Sequence, residues 1–208
     1  MTVRIVLAIT MLLLLTAASR AGAGIISVNW AYTDHVTNVA GLLSKNEAVT
    51  GWTAGAASSN GLAAGANGYV ESTAVETNLF RMFGFSDAAI SSPYVSTFAT
   101  IDYALYLKDY GVLAVFESGI SRGDIGSYQY GDVLRVERVG STVMYKRNGS
   151  SLYTSTIASA GALHVEAAFY NNGATIKNAR LGAIAVPEPA SIVLLGCGGL
   201  ALIRRRSA

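Results

Sequence analysis

The 208-residue chain is poor in the residues that fix a fold or a chemistry by covalent means. It has one cysteine, Cys197, close to the C-terminus, so its middle has no disulfide framework and no thiolate metal site. Proline occurs only at 93, 187 and 189, and glycine, with 22 residues, follows no three-residue period, so collagen-like structure is excluded. Charged residues make up 13% against 51% hydrophobic, which excludes a disordered polyelectrolyte. Long apolar runs are absent from the middle and present at both ends.

At the N-terminus, Met1 to Arg4 supplies one positive charge, and the apolar run from Ile5 to Ala18 has the length of a signal-peptide core rather than of a spanning helix of about 20 residues. Ala21-Gly22-Ala23 places small side chains where signal peptidase needs them, so residues 1–23 are expected to be a signal peptide cut after Ala23. Ser19, Arg20 and the small-residue cluster follow the run where a buried helix would have a cap.

The other end reads Val186-Pro187-Glu188-Pro189, an apolar run from Ala190 to Ile203 broken by three glycines, and Arg204-Arg205-Arg206. As a helix this run reaches about 21 Å, short of the roughly 30 Å hydrocarbon layer. The arginines would keep the terminus cytoplasmic and leave the exported body outside. The two prolines fix their own backbone and hold Val186 and Glu188 extended, displaying Glu188 on a stiff segment. Residues 186–208 resemble the PEP-CTERM sorting signal of Gram-negative bacteria. The resemblance implies recognition by an exosortase, cleavage near the Pro-Glu-Pro box, a transient inner-membrane anchor, and delivery to the cell surface or extracellular matrix. A plain single-pass anchor is the alternative.

Setting aside Arg4, Arg20, the three terminal arginines and Glu188 leaves a body with a formal charge of −2. The basic isoelectric point of 8.7 therefore belongs to the ends, and nothing in it points to nucleic acid.

Residues 24–185 are expected to form one all-β domain. Gly, Ser and Asn punctuate them every 8 to 12 residues or so, and helical periodicity is weak. Ile101, Tyr103, Leu105 and Leu107 alternate with more polar neighbours, and after Lys108–Gly111 the alternation resumes at Val112, Ala114 and Phe116, predicting an antiparallel pair. Residues 131–138, 143–147 and 151–156 predict a meander whose second turn is Asn148-Gly149. Segments at 51–58, 68–75, 79–85, 163–170 and 174–181 bring the expectation to about ten to twelve strands, too many for one flat sheet. This meander with Tyr145 before its turn, Trp52–Ala56, and the strand ending Phe116-Glu117-Ser118-Gly119 resemble concanavalin A-like jelly rolls of the lectin, laminin-G and SPRY type. That resemblance implies an antiparallel two-sheet β-sandwich.

The chemistry-bearing residues are sparse. A retaining glycosidase needs carboxylates about 5 to 5.5 Å apart, but no Glu-x-Asp-x-x-Glu phrase occurs. Asp132 with Glu137, and Glu71 with Glu76, are separated by odd intervals that point them to opposite faces of a strand. His35 and His164 lack neighbouring nucleophile or ligand motifs, and Gly119–Gly123 reads as a turn rather than a serine elbow. Asp124 and Asp132 are scant ligation for calcium. No catalytic residue, metal or cofactor is assigned. The Tyr128-Gln129-Tyr130 loop near Arg122 offers rings and a charge suited to a sugar, so Tyr128, Tyr130 and Arg122 are the candidate glycan-binding residues, with a plain turn as the equal alternative. Trp52, Tyr103 and Tyr145 read as core or sheet-face packing. The expected function is a non-catalytic, lectin-like surface protein that binds or organises exopolysaccharide. The alternatives are a purely structural surface protein and a glycan hydrolase with dispersed carboxylates.

Overall fold

The computed structural model describes residues 24–95 and 97–184. The proposed signal segment, with Ala21 and Ala23, and the sorting segment, with Val186 to Pro189 and Arg204 to Arg206, lie outside the described residues.

The body consists of strands β1 (Ile25–Ser27), β2 (Trp30–Asp34), β3 (Val36–Val39), β4 (Leu42–Lys45), β5 (Ala54–Leu62), β6 (Gly68–Thr73), β7 (Arg81–Ser86), β8 (Tyr103–Leu107), β9 (Val112–Glu117), β10 (Ile120–Ser127), β11 (Val133–Val139), β12 (Thr142–Arg147), β13 (Ser150–Thr154), β14 (Leu163–Phe169) and β15 (Thr175–Ala183). They form two antiparallel sheets. One has seven strands in the order β10-β9-β8-β7-β14-β5-β2. The other runs β13-β12-β11-β6-β15-β4-β3, with β1 also on β15 as its eighth strand. The architecture is the expected two-sheet β-sandwich.

Alternation decides what lies between the sheets. Phe83, Phe85, Leu105, Leu107, Val115 and Phe169 point inward from the seven-stranded sheet. Leu43, Val70, Val136, Val143, Tyr145 and Leu181 meet them from the eight-stranded sheet. A polar contact crosses this core: the Tyr145 hydroxyl donates to Glu117 Oε1 at 3.1 Å, and Arg122 Nε donates to Glu117 Oε2 at 2.8 Å. Burial first, and then the Glu117 carboxylate, push the Tyr145 phenol far above its usual range.

The β8–β9 pair and the β11–β12–β13 meander form as expected, including the Asn148-Gly149 turn, but on β9 it is Leu113 and Val115 that enter the core, while Phe116, expected in that row with Val112 and Ala114, faces the outer aromatic cluster. The strand count is higher than expected, for two reasons. Strands β1 to β3 are three to five residues long and largely exposed, and β4, though half-buried, has only four residues, so no run of apolar alternation marks them. Gly119–Gly123 is only partly a turn: the reversal is at Ser118-Gly119, and β10 continues from Ile120 against β9. Register breaks between Ser121 and Gly123 and between Asp124 and Gly126, with positive φ at both glycines, hide β10 from a period-two reading. Such bulges also blunt an exposed edge strand against pairing with another chain.

Candidate functional site

The two sheets present unlike outer faces. On the eight-stranded sheet, Arg135 stands opposite Glu71 on β6 and Lys146 on β12. Its guanidinium reaches Glu71 Oε2 at 2.6 Å and Glu137 Oε2 at 3.3 Å, and lies 3.6 Å over the Tyr69 ring. Lys146 donates to the other oxygen of Glu137. Glu71 and Glu137 are therefore tied up as ion-pair partners, Glu76 pairs with Arg81, and Asp132 accepts from Asn148 and Gln129.

The outer face of the seven-stranded sheet is built from small residues and rings. Register aligns Ala57, Glu166, Gly84, Ala104 and Phe116 across β5, β14, β7, β8 and β9. The next row holds Ala168, Met82, Tyr106 and Ala114. Above this floor sit Trp52 and the 3-10 turn Phe98–Thr100. Trp52 packs 5.2 Å from Phe98, 5.6 Å from Tyr106 and 5.5 Å from Tyr170, and Phe80 and Phe116 extend the cluster. All six rings are half-buried, so together they form one continuous aromatic surface. Burial, then Asp109 and Tyr170, push the Tyr106 phenol up to about 12.

At one end this face becomes polar. Glu166, only 3% exposed, accepts from Thr100 Oγ1 at 2.8 Å and lies 3.2 Å from His164 Nε2. Asp87 follows β7 and Asp102 precedes β8, so the antiparallel register brings them together. The Asp87 backbone N–H donates to Asp102 Oδ2 at 2.8 Å, and Ser118 Oγ donates to Asp102 Oδ1 at 2.9 Å. The Asp102 charge, then burial, raise the Asp87 carboxyl above its ordinary range. Beside them lies a shallow depression of about 380 Å³, lined by Ser59, Asn60, Leu62, Asp87 and His164 among others.

Its walls are held from behind. Arg138 on β11 is fully buried and donates to the carbonyls of Ala63 at 2.7 Å, Ala66 at 2.9 Å and Gly161 at 2.6 Å, and to Ser159 Oγ at 3.2 Å. One guanidinium thus pins the two loops that flank the depression.

The three residues expected to bind a glycan are not brought together. Tyr128 is 3% exposed, its hydroxyl donates to the Lys108 carbonyl at 3.0 Å, and Arg81 lies 6.0 Å over its ring. It is a core residue and has no face to offer a ligand. Tyr130 is 72% exposed because a turn from Gln129 to Asp132 throws it outward. Arg122 is committed to Glu117. Tyr103 and Tyr145 are core residues, whereas Trp52 belongs to the outer aromatic face. Asp124, considered for calcium, pairs with Lys108 at 2.9 Å. His35 lies 2.8 Å from Asp34 at the crossing between sheets. Asp87, Asp102 and the His164–Glu166 pair escape a motif search because they come from the end of β7, the approach to β8, and β14. Only the strand register joins them.

No protein-family model and no curated protein matches the sequence. Solved structures do resemble it. The calcium- and Man3GlcNAc-bound exoplasmic/lumenal domain of VIP36 is 10% identical with a TM-score of 0.55, over 78% of this chain and 86% of that one. The SPRY domain of human HERC1 is 14% identical with a TM-score of 0.53, over 77% and 99%. The carbohydrate recognition domain of Emp46p, in a point-mutant form, is 11% identical with a TM-score of 0.51, over 76% and 89%. At these identities the likeness establishes the fold, a lectin-like sandwich of the concanavalin A type.

Proposed function

We propose that the chain is an exported, exosortase-sorted protein of the cell surface or extracellular matrix, whose body is a non-catalytic lectin-like domain that binds exopolysaccharide. Signal peptidase and the secretion machinery act on residues 1–23, and the exosortase acts at Pro187-Glu188-Pro189. The observation that carries the binding reading is the outer face of the seven-stranded sheet, where a polar depression at Asn60, Asp87 and His164 runs into a surface of six half-buried rings. Aromatic faces stack on the C–H side of a sugar ring, and convergent polar groups fix its hydroxyls. Two structural neighbours, a Man3GlcNAc-bound lumenal domain and a carbohydrate recognition domain, support the same reading.

A second reading, a glycan hydrolase with dispersed carboxylates, draws on Asp87 and Asp102 meeting from separate strands. Both oxygens of Asp102 already accept hydrogen bonds, from the Asp87 backbone N–H and from Ser118 Oγ, so this carboxylate fixes the local turn rather than standing open to a scissile bond. This favours the non-catalytic role.

Affinity retention of the purified body on the producer's own exopolysaccharide tests the proposal. Retention without release of reducing ends, weakened by Trp52→Ala and His164→Ala, is the expected result. Reducing-end release that disappears in Asp87→Asn and Asp102→Asn favours the hydrolase, and absence of both retention and turnover leaves a structural role.

A further inference from the structure

Both ends of the body leave at the depression. Ile25 pairs with Gly182 and Ser27 with Arg180, so the first and last strands lie side by side. On the N-terminal side, Asn60, which lines the depression, donates from Nδ2 to the Ser27 carbonyl at 2.9 Å, and its Oδ1 accepts from the Asn29 N–H at 2.9 Å. On the C-terminal side, the Ile184 N–H donates to the Asn67 carbonyl at 3.2 Å. Gly68 lies between the exit strand and Leu62, another lining residue: a Cβ there would sit 2.7 Å from the Gly182 carbonyl and 2.5 Å from Leu62 Cδ2. The opposite pole is marked by Tyr110, 91% exposed in the turn between β8 and β9.

From Ile184 to Ala190, where the apolar run begins, the chain has six residue steps. Fully extended, they reach about 21 Å at most. A body on so short a tether cannot turn its exit pole far from whatever holds the apolar run.

We infer that the depression faces the bilayer while the C-terminal segment anchors the chain, and opens to polymer only when the tether is cut or lengthened. This rests on the proposed anchoring and sugar binding, and it makes sorting a switch for the site. During transit a bulky polysaccharide is shut out by the gap between body and membrane. Cleavage near Pro187-Glu188-Pro189 frees the pole, so binding begins where the protein is delivered. The aromatic face runs away from this pole toward Phe80 and Tyr170.

The test uses the full chain carrying Cys197→Ser and a single new cysteine, either Ala63→Cys beside the depression or Tyr110→Cys at the far pole. Each is reconstituted into phosphatidylethanolamine and phosphatidylglycerol vesicles and treated with a large polyethylene-glycol maleimide. In floated vesicles Ala63→Cys is expected to react several-fold more slowly than Tyr110→Cys. A long Gly-Ser insertion after Ile184 is expected to bring the two rates together. Ser59→Cys provides a second position beside the depression should Ala63→Cys fold poorly. Equal rates on chains that float overturn the inference alone. Chains that do not float overturn the anchoring and the inference with it. Failure of the soluble body to bind polysaccharide removes the sugar reading and leaves the labelling result standing.

Discussion

The outer faces of the two sheets solve the same problem in opposite ways. The eight-stranded sheet covers itself with its own charges: Arg135, Glu71, Glu137 and Lys146 satisfy one another, and Tyr69 is clamped between the Arg135 guanidinium and the backbone of Gly182. Burial alone would lower the Arg135 pKa, but Glu71 and Glu137 outweigh it and hold the guanidinium more firmly protonated than usual. The seven-stranded sheet has a floor of alanine and glycine roofed by rings that stay half-exposed, ending at carboxyls that repel each other. A face whose polar groups are saturated internally has little left for a partner. The aromatic face and its polar end keep their capacity for one.

Variants at defined depths sharpen this contrast. The largest loss is expected between the faces, at Tyr128, which is buried and hydrogen-bonded: Tyr128→Ala should cost about 3 kcal/mol or more in urea unfolding. On the ionic face, Arg135→Met leaves Glu71 and Glu137 without their shared cation and should cost about 1–3 kcal/mol, with retention on polysaccharide unchanged in whatever fraction stays folded. On the aromatic face, Trp52→Ala should reverse that pattern, costing about 1–2 kcal/mol of stability while retention falls sharply. If Arg135→Met and Trp52→Ala weaken retention equally, the contrast between the faces is wrong.

Smaller effects come from the carboxyl pair and the exposed loop. Asp87 keeps its proton to higher pH in the folded chain than in the unfolded one, because Asp102 faces it. The native state is therefore favoured when Asp87 is protonated, and that advantage is lost as the pH rises through the folded-state pKa. Asp87→Asn should melt slightly higher than the parent at neutral pH, and the gap should close in acid; thermal unfolding at several pH values reads this directly. A parent that gains stability over Asp87→Asn as the pH rises would contradict the repulsion. Tyr130→Ala should change stability by no more than about 0.5 kcal/mol and leave retention intact, in contrast to Tyr128→Ala two residues away.

The legible parts of the fold were those written in alternation. Tyr103, Leu105 and Leu107, and the turn at Asn148-Gly149, follow from period two and from the low cost of positive φ at that dipeptide, whereas on β9 the expected row of Val112, Ala114 and Phe116 is one residue out of phase with the core, which takes Leu113 and Val115. Strand β10 was hidden by its bulges, β1 to β3 by their shortness and exposure, and β4 by its shortness alone. The site was less legible than the fold. Tyr128 and Tyr130 are chemically equivalent on paper, and only the turn at Gln129–Asp132 sends one into the core and the other into water. Asp87 and Asp102 lie across a long connection, and His164 and Glu166 come from a third strand, so their meeting is a property of strand order, which no local spacing encodes. Trp52 was visible as a strand-type aromatic, but the rings that gather around it come from five separate parts of the chain.

Retention of residues 24–184 on the native exopolysaccharide, compared among the parent, Trp52→Ala and Arg135→Met, tests the central claim most directly. The account predicts that the parent and Arg135→Met are held while Trp52→Ala washes through. A folded parent that washes through as freely as Trp52→Ala would contradict it.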